Sequence, residues 1–173
     1  IGAHILSGNV FQPNALDELI PNWKDLNAPL NVQVKRDKIF YFLKNIGIPV
    51  PPFVMPAMNN HGNYVISLGN LCRWLGEQAE NLGVEIFPGF PASKLLVEDD
   101  KVVGVQTGDM GISESGELKP GNELGINIRA KLTILGEGCR GHLGKQVIDK
   151  FNLSDGKDPQ HYGIGFKEVW KID

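Results

Sequence analysis

A strand-like run that ends in glycines is the feature that most constrains the fold of this chain. Residues 132–135 (LTIL) precede Gly136, Gly138 and Gly141, which have the spacing G-x-G-x-x-G, and a helical stripe then begins at Leu143. Such a turn brings main-chain N–H groups close to phosphate at the start of a helix. A complete nucleotide-binding half also needs a second parallel strand that ends in an acidic residue about 20 positions on, and a polar loop stands there instead. Three readings stay open: a pyrophosphate site, a turn that touches a cofactor bound elsewhere, or a purely structural tight turn.

The remaining periodicity predicts an α/β fold. A strand over residues 63–67, a helix over 68–82 with Gly83 as its C-cap, and a short buried strand over 84–87 form a parallel βαβ unit. Residues 93–98 and 102–107 flank a turn as a hairpin, and 124–130 alternates as a third strand. The prediction is therefore a parallel sheet interrupted by a three-stranded antiparallel meander, with one more strand over 162–170.

Composition excludes several functional classes. The net charge of -3 gives no reason to expect a nucleic-acid partner. The two cysteines, Cys72 and Cys139, lack the spacing of a metal site or a disulfide framework. No run approaches the roughly 20 apolar residues of a spanning helix. The chain starts without methionine, so we expect it to be a segment of a longer protein.

A short amphipathic stripe lies near the start of the chain. Leu16, Leu19, Ile20 and Trp23 fall on one face of a helix predicted over 14–20. The four prolines between residues 46 and 58 predict an extended apolar loop.

Residues 1–8 (IGAHILSG) are rich in small side chains, which allow the main chain to approach a planar ligand closely. By composition alone they are also compatible with an ordinary glycine-rich loop. His4 is their one titratable side chain.

Taken together, the motifs resemble the family of electron-transfer flavoprotein:ubiquinone oxidoreductases, nearly from end to end. The segments that carry the resemblance are IGAHILSG (1–8), APLN (28–31), IPVPP (48–52), MNNHGNY (58–64), GEQAENLGVEI (76–86), GEGCRGHLGKQ (136–146) and YGIGFKEVW (162–170). Seven motifs in the same order are far more specific than any one of them.

The resemblance implies a membrane-associated flavoenzyme that holds FAD and a 4Fe-4S cluster. Such an enzyme takes electrons from reduced electron-transfer flavoprotein and passes them to ubiquinone, so no nucleophile or acid–base pair is expected. The implied fold is a glutathione-reductase-type FAD domain, with residues 1–150 as a partial FAD domain and 151–173 as the start of a quinone-binding domain. Residues 9–58 would be an insertion near the membrane and the quinone. The implied location is a bacterial inner membrane on its cytoplasmic face, or the matrix face of the mitochondrial one.

Carried over by position, the resemblance assigns three FAD-contacting segments. Gly2, Ala3, His4, Ser7 and Gly8 would line the flavin end, Ala92 would offer main chain to the adenine, and Gly136, Glu137 and Gly138 would form a second FAD-contacting turn. It also suggests that Leu16, Leu19, Ile20 and Trp23 face the membrane, with packing on the core as the alternative. His61 would face the quinone or flavin pocket, or it would have a structural role only. His4 would tune the potential of the flavin, or it too would have a structural role only.

The chain also departs from the family pattern. Ser67 stands where relatives carry arginine, which puts a cationic role there in doubt. The pyrophosphate-binding glycines and the cluster cysteines lie outside residues 1–173, so the chain alone is expected to be inactive. Two alternatives remain: a related FAD-dependent oxidoreductase of the geranylgeranyl-reductase-like or nitrogen-fixation-associated type, and a non-catalytic module that binds a membrane or a partner.

Overall fold

The structure is a computed structural model of the 173-residue chain, and it describes residues 1–3, 5, 8–166, 168 and 171. The described chain divides into two compact units. The first contains Ile1–Ile86 and the second contains Phe87–Phe166. Each unit has its own sheets and helices, and the predicted division into residues 1–150 and 151–173 stays a prediction.

The first unit is built around a small antiparallel sheet and one long helix. Its elements in chain order are β1 (Asn9–Phe11), α1 (Asn14–Leu19), β2 (Val32–Gln33), β3 (Ile39–Leu43), β4 (Ile46–Val50), β5 (Tyr64–Ile66) and α2 (Leu68–Asn81). The strand β5 lies between β1 and β2 and pairs antiparallel with both. The predicted strand over residues 63–67 and the predicted helix over 68–82 are therefore confirmed.

Local signals in the sequence explain where α2 begins and ends. The Ser67 hydroxyl accepts a hydrogen bond from the Asn70 N–H at 3.4 Å, as an N-cap residue does. Gly83 follows the last turn with φ of +88°, a conformation that a residue without a β-carbon adopts at little cost.

The core of the first unit gathers α1, α2 and the loop between α1 and β2. Both tryptophans in it have satisfied indole N–H groups: Trp23 donates to Asp17 Oδ1 at 2.7 Å and Trp74 donates to the Leu26 carbonyl at 3.0 Å. Buried indoles need such partners because an unpaired donor is costly away from water. The buried residues are Leu16, Trp23, Ala28, Leu30, Ile66, Leu71 and Trp74.

Strands β3 and β4 form a separate two-stranded hairpin, joined at Lys44 and Asn45. The predicted loop over residues 46–58 is wrong for its first five residues, which are β4. Pro49 pairs with Phe40 inside this hairpin. Proline is tolerated there because β4 is an edge strand and needs no N–H on its open side.

The second unit contains the predicted meander. Its elements are β6 (Ala92–Glu98), β7 (Lys101–Thr107), β8 (Met110–Ile112), β9 (Leu118–Glu123), β10 (Asn127–Arg129) and α3 (His142–Lys150). Strand β7 lies between β6 and β10 and is antiparallel to both, which confirms the three antiparallel strands. Strands β8 and β9 form a further hairpin within the polar stretch before β10.

The predicted parallel sheet is not seen, and every strand pairing among the described residues is antiparallel. Residues 84–87 and 132–135 form no strand. Val84, Phe87, Leu132 and Ile134 are exposed, since apolar runs of this kind are buried only when neighbouring strands and helices cover them. Within the part of the chain that is described, Thr133 Oγ1 is buried without a hydrogen-bond partner.

Candidate functional site

The glycine turn that precedes α3 leaves room for a ligand beside its main chain. Residues Gly138–Arg140 form one turn of 3-10 helix, and Gly138 has φ of +74°. A β-carbon added at Gly136 or at Gly138 would meet no atom within 4 Å. The open space and the positive φ fit a turn whose backbone approaches a flat cofactor closely.

Glu137 points its side chain back onto α3 rather than away from the protein. Its carboxylate accepts hydrogen bonds from the Leu143 N–H at 3.2 Å and from the Gly144 N–H at 2.8 Å. The hydrogen bond from Gly144 is the main cause that lowers the pKa of this carboxyl, and partial desolvation acts in the opposite direction. The hydrogen bond from Leu143 and the nearby His142 lower the pKa further. The first N–H groups of α3 thus already hold an anion of the protein itself.

This arrangement bears on which ligand group the turn accepts. A phosphate placed at the start of α3 would compete with the Glu137 carboxylate for the same N–H groups and would meet its negative charge. Of the open readings, the geometry favours a turn that touches a cofactor through Gly136 and Gly138 over a self-contained pyrophosphate site.

Ala92 lies at the beginning of β6, in the same unit as the glycine turn, and borders an apolar cavity of about 310 Å³. The Thr107 hydroxyl at its edge accepts a hydrogen bond from the Ile126 N–H at 2.9 Å. The cavity is lined by Phe87, Phe90, Ala92, Val105, Thr107, Ile126 and Ile128. Its aromatic and aliphatic walls suit a flat, weakly polar ring.

In the first unit, Gly2 faces the protein. A β-carbon on Gly2 would lie 2.5 Å from the carbonyl oxygen of Gly69 in α2, so this glycine is needed for packing against the helix. Of the other residues assigned to the flavin end, Ala3 and Gly8 are described, and His4 and Ser7 lie outside the described residues. The assignment of this segment to the flavin stays a prediction.

The amphipathic stripe belongs mainly to the core. Leu16 and Trp23 are each only 4% exposed, and Ile20 packs against the same core. The membrane-facing prediction is therefore wrong for Leu16 and Trp23, and the alternative of packing on the core describes them. Leu19, at 74% exposed, is the one residue of the four that turns its side chain outward.

The hairpin β3–β4 and the turns that follow it expose a run of large apolar side chains. Phe42 is 77% exposed and Phe53 is 82% exposed, values that are unusual for phenylalanine. The sequence predicted residues 46–58 as an apolar loop near the membrane, but it did not predict the hairpin that presents the side chains of β3 and β4. We call it the apolar hairpin surface, and its members are Phe40, Tyr41, Phe42, Leu43, Ile46, Ile48, Phe53, Val54, Met55 and Met58.

A cavity of about 280 Å³ lies beside the apolar hairpin surface and includes His61 in its lining. The loop around it is fixed by two main-chain donors: the Asn60 N–H bonds Asp37 Oδ2 at 2.7 Å, and the His61 N–H bonds Asn59 Oδ1 at 3.0 Å. The lining comprises Arg36, Asp37, Ile39, Val50, Pro52, Met55, Met58, Asn59 and His61. Arg36 and Asp37 were not singled out from sequence, because a charged run there reads as an ordinary solvated segment.

The described residues contain neither a cluster of metal-binding side chains nor a membrane-spanning helix. No group of three or more histidine, cysteine, aspartate or glutamate side chains in them could hold a metal ion. Among the helices that are described, none is long and apolar enough to cross a membrane.

Three relatives of this chain among known proteins all carry the same family name. No family model matches the chain. The chain is 56% identical over 178 residues to the electron transfer flavoprotein-ubiquinone oxidoreductase of Pseudomonas aeruginosa, with all of this chain and 32% of that protein covered. It is 54% identical to a protein of Acinetobacter baylyi named probable electron transfer flavoprotein-ubiquinone oxidoreductase, with all of this chain and 31% of that protein covered. The mitochondrial protein of this name from Sus scrofa is 50% identical, with all of this chain and 28% of that protein covered.

The chain thus spans about a third of the length of the curated relatives it matches. Along that segment about half of all positions are identical, in bacterial and mitochondrial proteins alike. Over its whole length, therefore, the chain belongs to the electron transfer flavoprotein-ubiquinone oxidoreductase family, as a segment that corresponds to about a third of such a protein.

Proposed function

We propose that the chain is part of a membrane-associated flavoprotein that passes electrons from reduced electron transfer flavoprotein to ubiquinone, with FAD as its flavin. The observation that carries the proposal is the match of the entire chain to proteins named for this reaction. A 4Fe-4S cluster belongs to the same proposal, with its ligands outside residues 1–173. The FAD supplies the redox chemistry, and the protein supplies position and electrostatics.

The glycine turn and Ala92 would hold the cofactor in the second unit. The main chain at Gly136 and Gly138 has the free space that close contact with FAD needs. Ala92 would offer its main chain to the adenine, and the apolar cavity that it borders has a suitable lining for that ring. Glu137 would act indirectly, by holding the start of α3 against the turn.

The apolar hairpin surface would contact the membrane. Aromatic and aliphatic side chains at an exposed hairpin lose contact with water when they enter the boundary between headgroups and acyl chains, which favours binding. Residues 9–58 would in this way form the membrane-proximal insertion. The cavity beside His61 lies next to the apolar hairpin surface and would border the path of the quinone.

The test of the proposal uses the full-length protein of which this chain forms a segment. We expect it to purify with FAD and to catalyse reduction of ubiquinone by reduced electron transfer flavoprotein. Gly138→Val places a branched side chain in the open space of the turn, at a positive φ that valine tolerates poorly. The variant should lose bound flavin, measured by its visible absorbance. Gly116→Val, at a similar φ in the exposed turn between β8 and β9, should retain it.

Two outcomes would count against the proposal. If the unmodified protein bound no FAD, the flavin assignment would fail. If it bound FAD but did not pass electrons to ubiquinone, the related FAD-dependent oxidoreductases would be the better description.

A further inference from the structure

The first residues of β6 contain a β-bulge. Ala92 pairs with Thr107 of β7 and Lys94 pairs with the next residue, Gln106, so Ser93 is an extra residue in the ladder. The Ser93 hydroxyl donates to the Gln106 carbonyl at 3.2 Å and partly replaces the lost main-chain pairing. Bulges of this kind bend a strand and re-aim the residues beside them, and they are common next to functional sites.

The outer edge of β6 at the bulge is covered by a side chain instead of a strand. Gln146 of α3 donates from Nε2 to the Ser93 carbonyl at 2.9 Å and accepts at Oε1 from the Leu95 N–H at 3.3 Å. A carbonyl and the N–H two residues later point to the same edge of a strand and bond to the neighbouring strand. One glutamine amide has a donor and an acceptor, so it satisfies both groups. The His142 ring Nε2 also lies 3.2 Å from the Ser93 carbonyl.

Gln146 thereby connects two segments that the proposed function assigns to FAD. It lies on α3, which begins directly after the turn at Gly136–Gly138, and it holds the residue that follows Ala92. The connection runs entirely within the second unit.

We propose that Gln146 is a positioning residue for FAD, which fixes the bulge at Ser93 and so aims the Ala92 main chain at the adenine. This inference rests on the proposed function and adds to it a residue that never touches the cofactor. The loss of the Gln146 amide would leave the Leu95 N–H without its acceptor and the Ser93 carbonyl with only the His142 ring beside it. The start of β6 would then sample other conformations.

The variants separate the two hydrogen bonds. Gln146→Met keeps the length of the side chain and removes both bonds. Gln146→Glu keeps an acceptor for the Leu95 N–H but replaces the donor to Ser93 by an oxygen that repels the Ser93 carbonyl, so it tests the bond to Ser93 alone. Lys145→Met is the matched control, because Lys145 is the exposed neighbour on the same helix.

The experiment titrates the full-length protein, freed of flavin, with FAD and separately with ADP, well below its unfolding temperature. We expect Gln146→Met to raise both dissociation constants about tenfold, the loss typical of two hydrogen bonds. Gln146→Glu should also raise both dissociation constants, and Lys145→Met should leave both unchanged. ADP is the adenosine diphosphate half of FAD and lacks the flavin, so it reports on binding of that half, and Lys145→Met controls for a general effect on α3.

Three results would overturn the inference: unchanged FAD and ADP binding in Gln146→Met, weaker FAD binding with unchanged ADP binding, or an equal loss in Lys145→Met. If Gln146→Met failed to fold, the same comparison would be made with Gln146→Glu. A wild-type protein that bound neither ligand would instead show that the proposed function itself is wrong.

Discussion

Gly2 and Gly69 pack against each other through their main chains. A β-carbon on Gly2 would lie 2.5 Å from the carbonyl oxygen of Gly69, and one on Gly69 would lie 2.9 Å from the carbonyl oxygen of Gly2. Gly2 also has φ of +75°, which few other residues adopt. The first residues of the chain can therefore approach the first turn of α2 only if both positions are glycine.

We predict that Gly69→Ala destabilises the full-length protein by about 1–3 kcal/mol, the usual cost of overpacking. Gly76→Ala is the control, since a β-carbon there would meet chiefly the flexible end of the Ile1 side chain, at 2.6 Å, which can move away. Urea denaturation of both variants gives the comparison. Equal stability of the two variants would mean that the contact between Gly2 and Gly69 is not restrictive.

The sequence predicted the elements whose signals are local. The helix α2 was found because an apolar stripe runs along it and Gly83 ends it. The meander was found because β6 and β7 are adjacent in the chain. The hairpin β3–β4 was missed because Pro49 argued against a strand, although Lys44 and Asn45 between two apolar runs are a usable turn signal.

The candidate site was predicted less completely, for a physical reason. Glycine spacing indicates where a backbone can approach a ligand, and it predicted Gly136 and Gly138. It does not distinguish a glycine that faces a ligand from one that faces a helix, as Gly2 does. The roles of Glu137 and Gln146 depend on hydrogen bonds to main-chain groups, and those of Gln146 span about fifty residues.

We predict opposite behaviour for two leucines of α1. Leu16→Ala removes a side chain from the core and should lower the free energy of unfolding by about 2–5 kcal/mol. Leu19→Ala changes an exposed side chain and should alter it by less than about 0.5 kcal/mol. Chemical denaturation followed by tryptophan fluorescence suits the comparison, because Trp23 lies in the same core as Leu16. A large effect of Leu19→Ala would indicate that this side chain is covered in the full-length protein.

We predict that the apolar hairpin surface, and not α1, governs membrane binding. Phe42→Glu and Phe53→Glu should each weaken binding of the full-length protein to phosphatidylethanolamine–phosphatidylglycerol vesicles by at least about tenfold, because an aromatic ring leaves the interface and a charge enters it. Leu19→Glu is the matched control, with the same charge at an exposed leucine of the same unit, and should leave binding unchanged. Vesicle sedimentation measures all three. If only Leu19→Glu weakened binding to the vesicles, α1 and not the apolar hairpin surface would be the element that contacts the membrane.

We predict that the hydrogen bond from Trp74 to Leu26 stabilises the loop between α1 and β2. Trp74→Phe keeps an aromatic ring and leaves the Leu26 carbonyl without its donor, which should cost about 1–3 kcal/mol. The measurement is thermal unfolding, with Tyr41→Phe as the control, because this exposed aromatic side chain also loses one polar group and keeps its ring. Equal unfolding temperatures for Trp74→Phe and the control would show that water replaces the lost indole donor at the Leu26 carbonyl.

The pH dependence of stability should report on Glu137. Because its pKa is lowered in the folded protein, chiefly by the Gly144 N–H, its carboxylate stabilises the fold at pH values above the ordinary glutamate pKa of about 4.3. This contribution is lost as the pH falls through the lower pKa of the folded state. Glu137→Gln should therefore reduce the unfolding temperature at neutral pH and approach the wild type as the pH falls below the folded-state pKa of Glu137.

The effect should be modest, because Glu137 is exposed to solvent, which screens its interactions. Glu114→Gln, at an exposed position after β8, controls for the loss of one negative charge. The result depends on the difference between the two variants at each pH, since acid destabilises the whole protein through its other carboxylates. A difference that stayed constant from neutral pH to about pH 3 would show that the Glu137 carboxylate does not hold the start of α3 through its charge.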